Sequence, residues 1–208
     1  MKIPDYLTEI HHAVETVIAE IYREHDALLK TRAELAVLTS ATDDGYRRAD
    51  FLAMNPDLDD EGLGTAIYWD TYFGVDKERY DKNVEYAVFL QRVAARQFSI
   101  AALSGSLIQY AKQGISLHYG KQRTGCPDGR LIAGISLNEI IWRARNQSHH
   151  WDEGSLHEPT AKCFEHLAAN VAPVFSEFKD RSLAFEIIEL LGWNKVEAFL
   201  EDMNLLNA

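Results

Sequence analysis

Apolar residues recur every three or four positions along most of the chain, a spacing that predicts helices and no sheet. Leu7, Ile10, Val14, Val17, Ile21 and Leu28 form one such stripe, and Pro4 with Asp5 suits a first turn, so a long helix is predicted from about Pro4 to Leu38. From Thr39 to Gly64 the stripe gives way to Thr-Asp-Asp-Gly, Asn-Pro-Asp and Asp-Asp-Glu-Gly, which predicts a solvated acidic loop or lid-like insertion. Thr65 to Phe73 reads as a short helix rich in aromatics. Ala87, Leu90, Ala94, Phe98, Ala101, Gly105 and Ile108 then mark a central helix over about Lys77–His118. Its small residues, Ser99, Ala101, Ala102, Ser104, Gly105 and Ser106, allow a second helix to come close. Gly120 to Gly134 is a connection built around a Cys126-Pro-Asp-Gly129 turn. Ser136-Leu-Asn-Glu139 is a capping box that opens a new helix. Further helices are predicted at about Glu158–Phe178, Ser182–Leu191 and Asn194–Leu205.

The expected fold is therefore all-α: one helical domain spanning 1–208. Residues 1–75 form an N-terminal helix and acidic loop extension, 76–180 the bundle core, and 181–208 a C-terminal helical tail. Composition agrees, with 47% hydrophobic and 25% charged residues in a chain of 208. No run approaches the roughly 20 apolar residues of a membrane span, and Met1-Lys-Ile-Pro-Asp-Tyr6 lacks the apolar core of a signal peptide. Two cysteines, Cys126 and Cys163, without metal-type spacing fit a reducing cytoplasm. Cys126 has no base beside it in sequence and reads as a structural thiol.

Charge changes the picture more. The net charge of -11 argues against a generic nucleic-acid binder. Yet Arg92–His150 holds eight basic residues (Arg92, Arg96, Lys112, Lys121, Arg123, Arg130, Arg143, Arg145) against Asp128 and Glu139, a local +6 that leaves -17 elsewhere. That asymmetry is compatible with a local anion site on a repulsive surface.

The candidate chemistry lies on the helix that Ser136 opens. At 100° per residue, Leu137, Ile140, Ile141, Ala144, Ser148 and Trp151 make a core face. Arg143, Asn146 and His150 stack opposite it, and Arg145 with His149 forms a second pair nearer the core boundary. Trp142 also points away from the core, beside Asn146 and His149, so this face should meet a helix layer, a second subunit or a ligand. Arginine offers a planar donor fork for phosphate oxygens, and histidine exchanges protons near neutrality. Together they meet the needs of metal-free phosphodiester cleavage. Ordinary solvation of an exposed face, with Glu139 and Arg143 as an i,i+4 pair, is the plainer alternative.

Arg145-Asn-Gln-Ser-His-His150 resembles the Arg-polar-x-x-x-His motif of HEPN domains, small helical bundles common in prokaryotic defence and toxin systems. The resemblance covers roughly Asp76 to Phe178. The family allows four to six residues between Arg and His, so Arg143 with His149, Arg143 with His150 and Arg145 with His150 all fit. Asn146 after Arg145 favours the last pair, and helical geometry favours Arg143 with His150. The resemblance implies a metal-independent endoribonuclease without cofactors, acting as a homodimer whose motif helices face each other across a cleft, with an antitoxin as a further partner. It implies Arg145 on the scissile phosphate, His150 as general acid or base, and Asn146 orienting one of them, with the RNA 2′-hydroxyl as nucleophile. Arg143, His149 and Gln147 would contact the substrate. The alternative is a non-catalytic module of the same shape that binds nucleotide, RNA or a protein partner through this face. A metal-dependent hydrolase would draw on His149, His150, Asp152, Glu153 and His157, or on His11, His12 and Glu15, although adjacent histidines on a helix point about 100° apart. Arg123 and Arg130 are further candidates to reach the same anion, and His118 reads as a helix C-terminal residue.

Overall fold

A computed structural model describes the backbone of residues 1–59, 61–153 and 156–207. It describes their side chains except at Thr31, Arg32, Glu34, Leu35, Leu38, residues 82–90, Arg92 and Val93. The expected stripe positions Ala87 and Leu90, and Arg92 of the basic window, thus lie outside the described side chains. The architecture is all-α. Helices α1 (Ile3–Met54), α2 (Leu63–Thr71), α3 (Lys77–Tyr119), α4 (Leu137–His150), α5 (Glu158–Asn170), α6 (Ala184–Leu191) and α7 (Val196–Leu205) are joined by short 3₁₀ turns and one five-residue π-turn, Tyr72–Asp76.

The helices separate into two compact units. The first comprises Met1–Glu24 and Gln97–Ala208, the second His25–Arg96. Residues 1–24, expected as part of an extension, instead supply the first unit's core: Ile3, Tyr6, Leu7, Val14, Ile18 and Ile21 are buried with Leu107, Ile108 and Ile115 of α3. From α4 come Leu137, Ile140, Ile141 and Ala144, and from the C-terminal elements Phe164, Leu167, Ile187, Ile188, Trp193, Phe199 and Met203. This apolar stripe on each helix is what fixes the bundle. The small residues act as expected. An added Cβ at Gly105 would lie 3.6 Å from Ser148 Oγ, and one at Gly114 3.0 Å from the Tyr6 ring, so α3 meets both α4 and α1 closely. Buried Asp202 is paired within the interior: it accepts from Trp193 Nε1 at 2.8 Å and from Arg130 Nε at 2.6 Å.

Two features depart from the sequence reading in this unit. Leu131–Ile132 and Ile135–Ser136 pair as a minimal antiparallel hairpin, β1–β2. Ala133 and Gly134 at its turn both have positive φ (50° and 86°), the requirement of a two-residue primed turn. Two-residue strands carry no alternation to read. The helix expected to reach Phe178 ends at Asn170, and a 3₁₀ turn, Pro173–Lys179, follows; Pro173 cannot continue the helix.

In the second unit α1 continues to Met54, where a loop was expected from Thr39. The reason is Gly45, whose Asp-Asp-Gly context signals a turn. It sits inside the helix where α2 crosses: a Cβ there would stand 2.7 Å from Thr71 Cγ2 and closer still to Oγ1. Gly64 of α2 likewise approaches Leu52 and the Ala49 carbonyl. Tyr46 OH donates to Asp76 Oδ2 at 2.5 Å, and Arg79 bridges Asp76 and Asp43 at 3.2 and 3.5 Å. Among the described residues, no helix is long and apolar enough to cross a membrane.

Candidate functional site

Helix α4 starts as its sequence requires. Ser136 is the N-cap, its Oγ accepting from the Glu139 amide at 3.4 Å. With Leu137, Ile140, Ile141 and Ala144 buried, the opposite side of α4 faces a cleft. The cleft, about 650 Å³, is lined by Trp142, Arg143, Asn146 and His150 of α4, Glu153 of the following 3₁₀ turn, Leu156, and His157 and Thr160 at the start of α5. The trio Arg143, Asn146 and His150, stacked on the helical wheel, therefore shares one wall.

Arg143 and His150 are held by neighbours. Arg143 Nε donates to Glu139 Oε1 at 2.6 Å, and Glu139 Oε2 accepts from Arg123 Nη2 at 3.0 Å. Burial alone would raise the Glu139 carboxyl, but the hydrogen bonds and charges of Arg143 and Arg123 outweigh it and hold the group below its usual range. Arg123 also donates to Asn138 Oδ1, and its guanidinium lies 4.5 Å from the Trp142 ring centroid, with Lys112 Nζ at 4.8 Å. Burial, with the charges of Arg145 and Lys121 as lesser causes, lowers Lys112. Trp142, whose face was expected to meet a helix layer, a second subunit or a ligand, is thus half-buried beneath cations from α3 and the following loop. The wheel cannot register groups arriving from other elements.

Of the expected Arg–His pairings, the structure brings Arg145 and His150 together. Arg145 Nε donates to Gln109 Oε1 at 2.8 Å and its Nη1 lies 3.4 Å from His150 Nε2. The other ring nitrogen of His150, Nδ1, stands 2.7 Å from Glu153 Oε1. Both nitrogens thus have partners within the protein. His149 turns back along the helix, its Nδ1 donating to the Arg145 carbonyl at 3.1 Å. Burial, reinforced by the Arg145 charge, lowers its pKa. Neither Arg145 nor His149 is among the residues lining the cleft.

Gln147, expected as a substrate contact, is engaged inside the protein. It is fully buried, its Nε2 donating to the carbonyls of Phe178 (2.9 Å) and Arg181 (2.7 Å) and its Oε1 accepting from the Leu183 amide (2.9 Å). It ties α4 to the segment before α6. Arg123 and Arg130 are also engaged internally, by Glu139 and Asp202. His118 Nδ1 lies 3.4 Å from the Met1 carbonyl at the end of α3. Burial raises the thiols of Cys126 and Cys163, the latter to about 12, which suits neither to nucleophilic attack. Among the described residues, no group of three or more His, Cys, Asp or Glu side chains is placed to hold a metal ion.

Sequence reasoning missed Thr160 and Leu156. Thr160 is fully buried in the first turn of α5, and its Oγ1 has no hydrogen-bond partner in the protein although it borders the cleft. Nothing in its local sequence separates it from any first-turn threonine; only the packing of α5 against α4 puts it there.

Compared with protein families, with curated proteins and with solved structures, the chain matches none. The all-α bundle is consistent with the coarse shape of a HEPN-like module.

Proposed function

We propose that this chain is an RNA-binding helical module whose ligand, one phosphate-bearing nucleotide of a single strand, seats in the cleft between α4 and α5. The observation that carries the reading is the cleft's lining, which joins Arg143, Asn146, His150 and His157 to the apolar surfaces of Trp142 and Leu156. A volume of about 650 Å³ suits a ligand of nucleotide size. Arg143 supplies a phosphate fork, Asn146 and Thr160 supply hydrogen bonds, and the Trp142 edge and Leu156 give a base an apolar seat. Lys112, Arg123, Arg143 and Arg145 gather round α4 against Glu139 and, on the 3₁₀ turn, Asp152 and Glu153, so the local balance stays cationic even on an acidic chain.

Binding is favoured over catalysis because His150, the general acid or base of the second reading, is held on both ring nitrogens. The second reading is metal-independent cleavage, with Arg145, His150 and Asn146 in the roles given above and two copies presenting their motif helices to one another. It is supported by the Arg145–His150 approach of 3.4 Å. It requires His150 to exchange one of its present partners for a substrate oxygen.

The test is fluorescence anisotropy with a labelled single-stranded RNA in excess EDTA, followed by a denaturing gel of the same samples. Loss of one charge-assisted contact is worth roughly 1.5–3 kcal/mol, so Arg143→Ala and His150→Ala should each weaken binding by about tenfold or more. Intact RNA on the gel supports the binding module. Cleavage by the wild type that His150→Ala and Arg145→Ala abolish moves the assignment to the nuclease. Equal affinity for the wild type and both cleft variants overturns the site.

A further inference from the structure

The second unit carries a surface that the cleft does not explain. Four aromatic residues at the end of α2 and the start of the π-turn, Tyr68, Trp69, Tyr72 and Phe73, are exposed, with Trp69 at 49% and Phe73 at 65%. Their i,i+4 spacing makes two stacked pairs. Tyr68 and Tyr72 have centroids 6.4 Å apart with rings 5° from parallel, and Trp69 and Phe73 are 5.5 Å apart at 20°. Edge contacts join the pairs: Tyr68 meets Trp69 at 5.4 Å, and Tyr72 meets Phe73 at 5.1 Å. The result is a lattice of four rings.

The packing of α2 is inverted relative to an ordinary amphipathic helix. Its buried residues are small, Gly64 and Thr71, and they meet Gly45, Ala49 and Leu52 of α1. The large rings lie outward, with Tyr68 also meeting the Tyr46 ring of α1 at 5.5 Å. A helix that buries its small residues and exposes its aromatic ones keeps them outside for a purpose other than this unit's own core. The π-turn that follows is a further local departure of the kind that recurs at functional positions.

Charge selects the occupant. From Asp50 to Asp76 the chain has seven acidic residues (Asp50, Asp57, Asp59, Asp60, Glu61, Asp70, Asp76) and no Lys, Arg or His. Asp50, Asp57 and Asp70 are exposed, as is Glu61, while Asp76 is already taken by Arg79 and Tyr46. Exposed π-faces within an acidic stretch attract guanidinium and ammonium groups twice over, through the ring quadrupoles and through the carboxylates. The same charges repel nucleic acid, anionic lipid and a second copy of this acidic segment.

We propose that the Tyr68–Trp69–Tyr72–Phe73 face is a docking surface for a cationic, amphipathic protein helix that places arginine or lysine against the rings and carboxylates. This surface is independent of the RNA reading of the cleft.

The experiment uses the full chain and an 18-residue amphipathic probe peptide of leucine and arginine, with a leucine–glutamate peptide of the same pattern as control. Binding is read by anisotropy of the labelled peptide. The arginine peptide should bind and the glutamate peptide should not. Trp69→Ser and Phe73→Ser should each weaken binding by about tenfold or more. Asp70→Lys should do the same while leaving the rings in place, which covers the case of a serine variant that fails to fold. Glu197→Gln and Glu201→Gln on α7 should leave it unchanged, separating docking from general attraction to an acidic protein. Equal binding by the wild type, Trp69→Ser and Asp70→Lys overturns the proposal. So does self-association of the wild type that Trp69→Ser abolishes, because the face would then be covered by a second copy.

Discussion

The two units treat their hydrophobic residues in opposite ways. In the unit formed by 1–24 and 97–208, α4 delivers Leu137, Ile140, Ile141 and Ala144 to a core closed by Phe164, Trp193 and Phe199, and its polar face is left to make a cleft. In the unit formed by 25–96, the buried hydrophobics among the described residues are Leu28 and Ala49, while Phe51, Met54, Leu58, Leu63 and the four-ring lattice are exposed. Both units are helical and built from similar residue types. What differs is which side chains the close helix contacts consume. In the first unit large aliphatics join small residues such as Gly105 and Gly114 at the helix contacts and build a core, leaving polar residues of α4 to the cleft. The α1–α2 contact of the second unit rests on small residues, and its aromatic ones lie outward.

Substitutions can break this contrast, and the largest effect belongs to the first core. Phe164→Ala should destabilise the protein by about 3–5 kcal/mol, whereas Phe73→Ala in the second unit should stay within about 0.5 kcal/mol. Urea denaturation of both variants checks the pair, and equal losses would erase the distinction. Gln147→Ala comes next. It leaves two carbonyls and one amide without partners and should cost about 3 kcal/mol, with no change in RNA affinity once the variant is folded. Gly45→Ala should cost about 1–3 kcal/mol by overpacking against Thr71. Hydrogen exchange should place its effect in α1–α2, and a spread through α4 would contradict the placement of Gly45 against Thr71. A more modest effect is expected of Glu139. Its carboxyl is held below the usual range, so its stabilising contribution is present above about pH 4.3 and is lost as the pH falls through its lower folded value. Glu139→Gln should reduce stability at pH 7 by about 1 kcal/mol, solvent screening included. The gap from the wild type should narrow as the pH falls through the acid range.

Much of the first unit is legible in the sequence because its signals are local. The Ser136 cap, the apolar face of α4 and the shared wall of Arg143, Asn146 and His150 all follow from spacing on one helix. The reading fails where a second element intervenes. Gln147 looks like any polar residue until the Phe178, Arg181 and Leu183 backbones arrive. Trp142 asks for a cover, but nothing in its own helix names Lys112 and Arg123 as the groups that supply it, and Thr160 carries no signal at all. In the second unit, Gly45 illustrates a different failure: the same lack of a side chain that marks a turn in sequence serves here as the contact point for α2. The aromatic richness of Thr65–Phe73 is visible from the start, but its outward orientation depends on small residues taking the inner face.

The most direct test of the two-surface account is hydrogen–deuterium exchange of the full chain with and without a saturating single-stranded RNA in EDTA. The account predicts slower exchange in peptides from α4 and the first turn of α5, and unchanged exchange across Leu63–Asp76. Protection of Leu63–Asp76, with α4 and α5 unaffected, would contradict it.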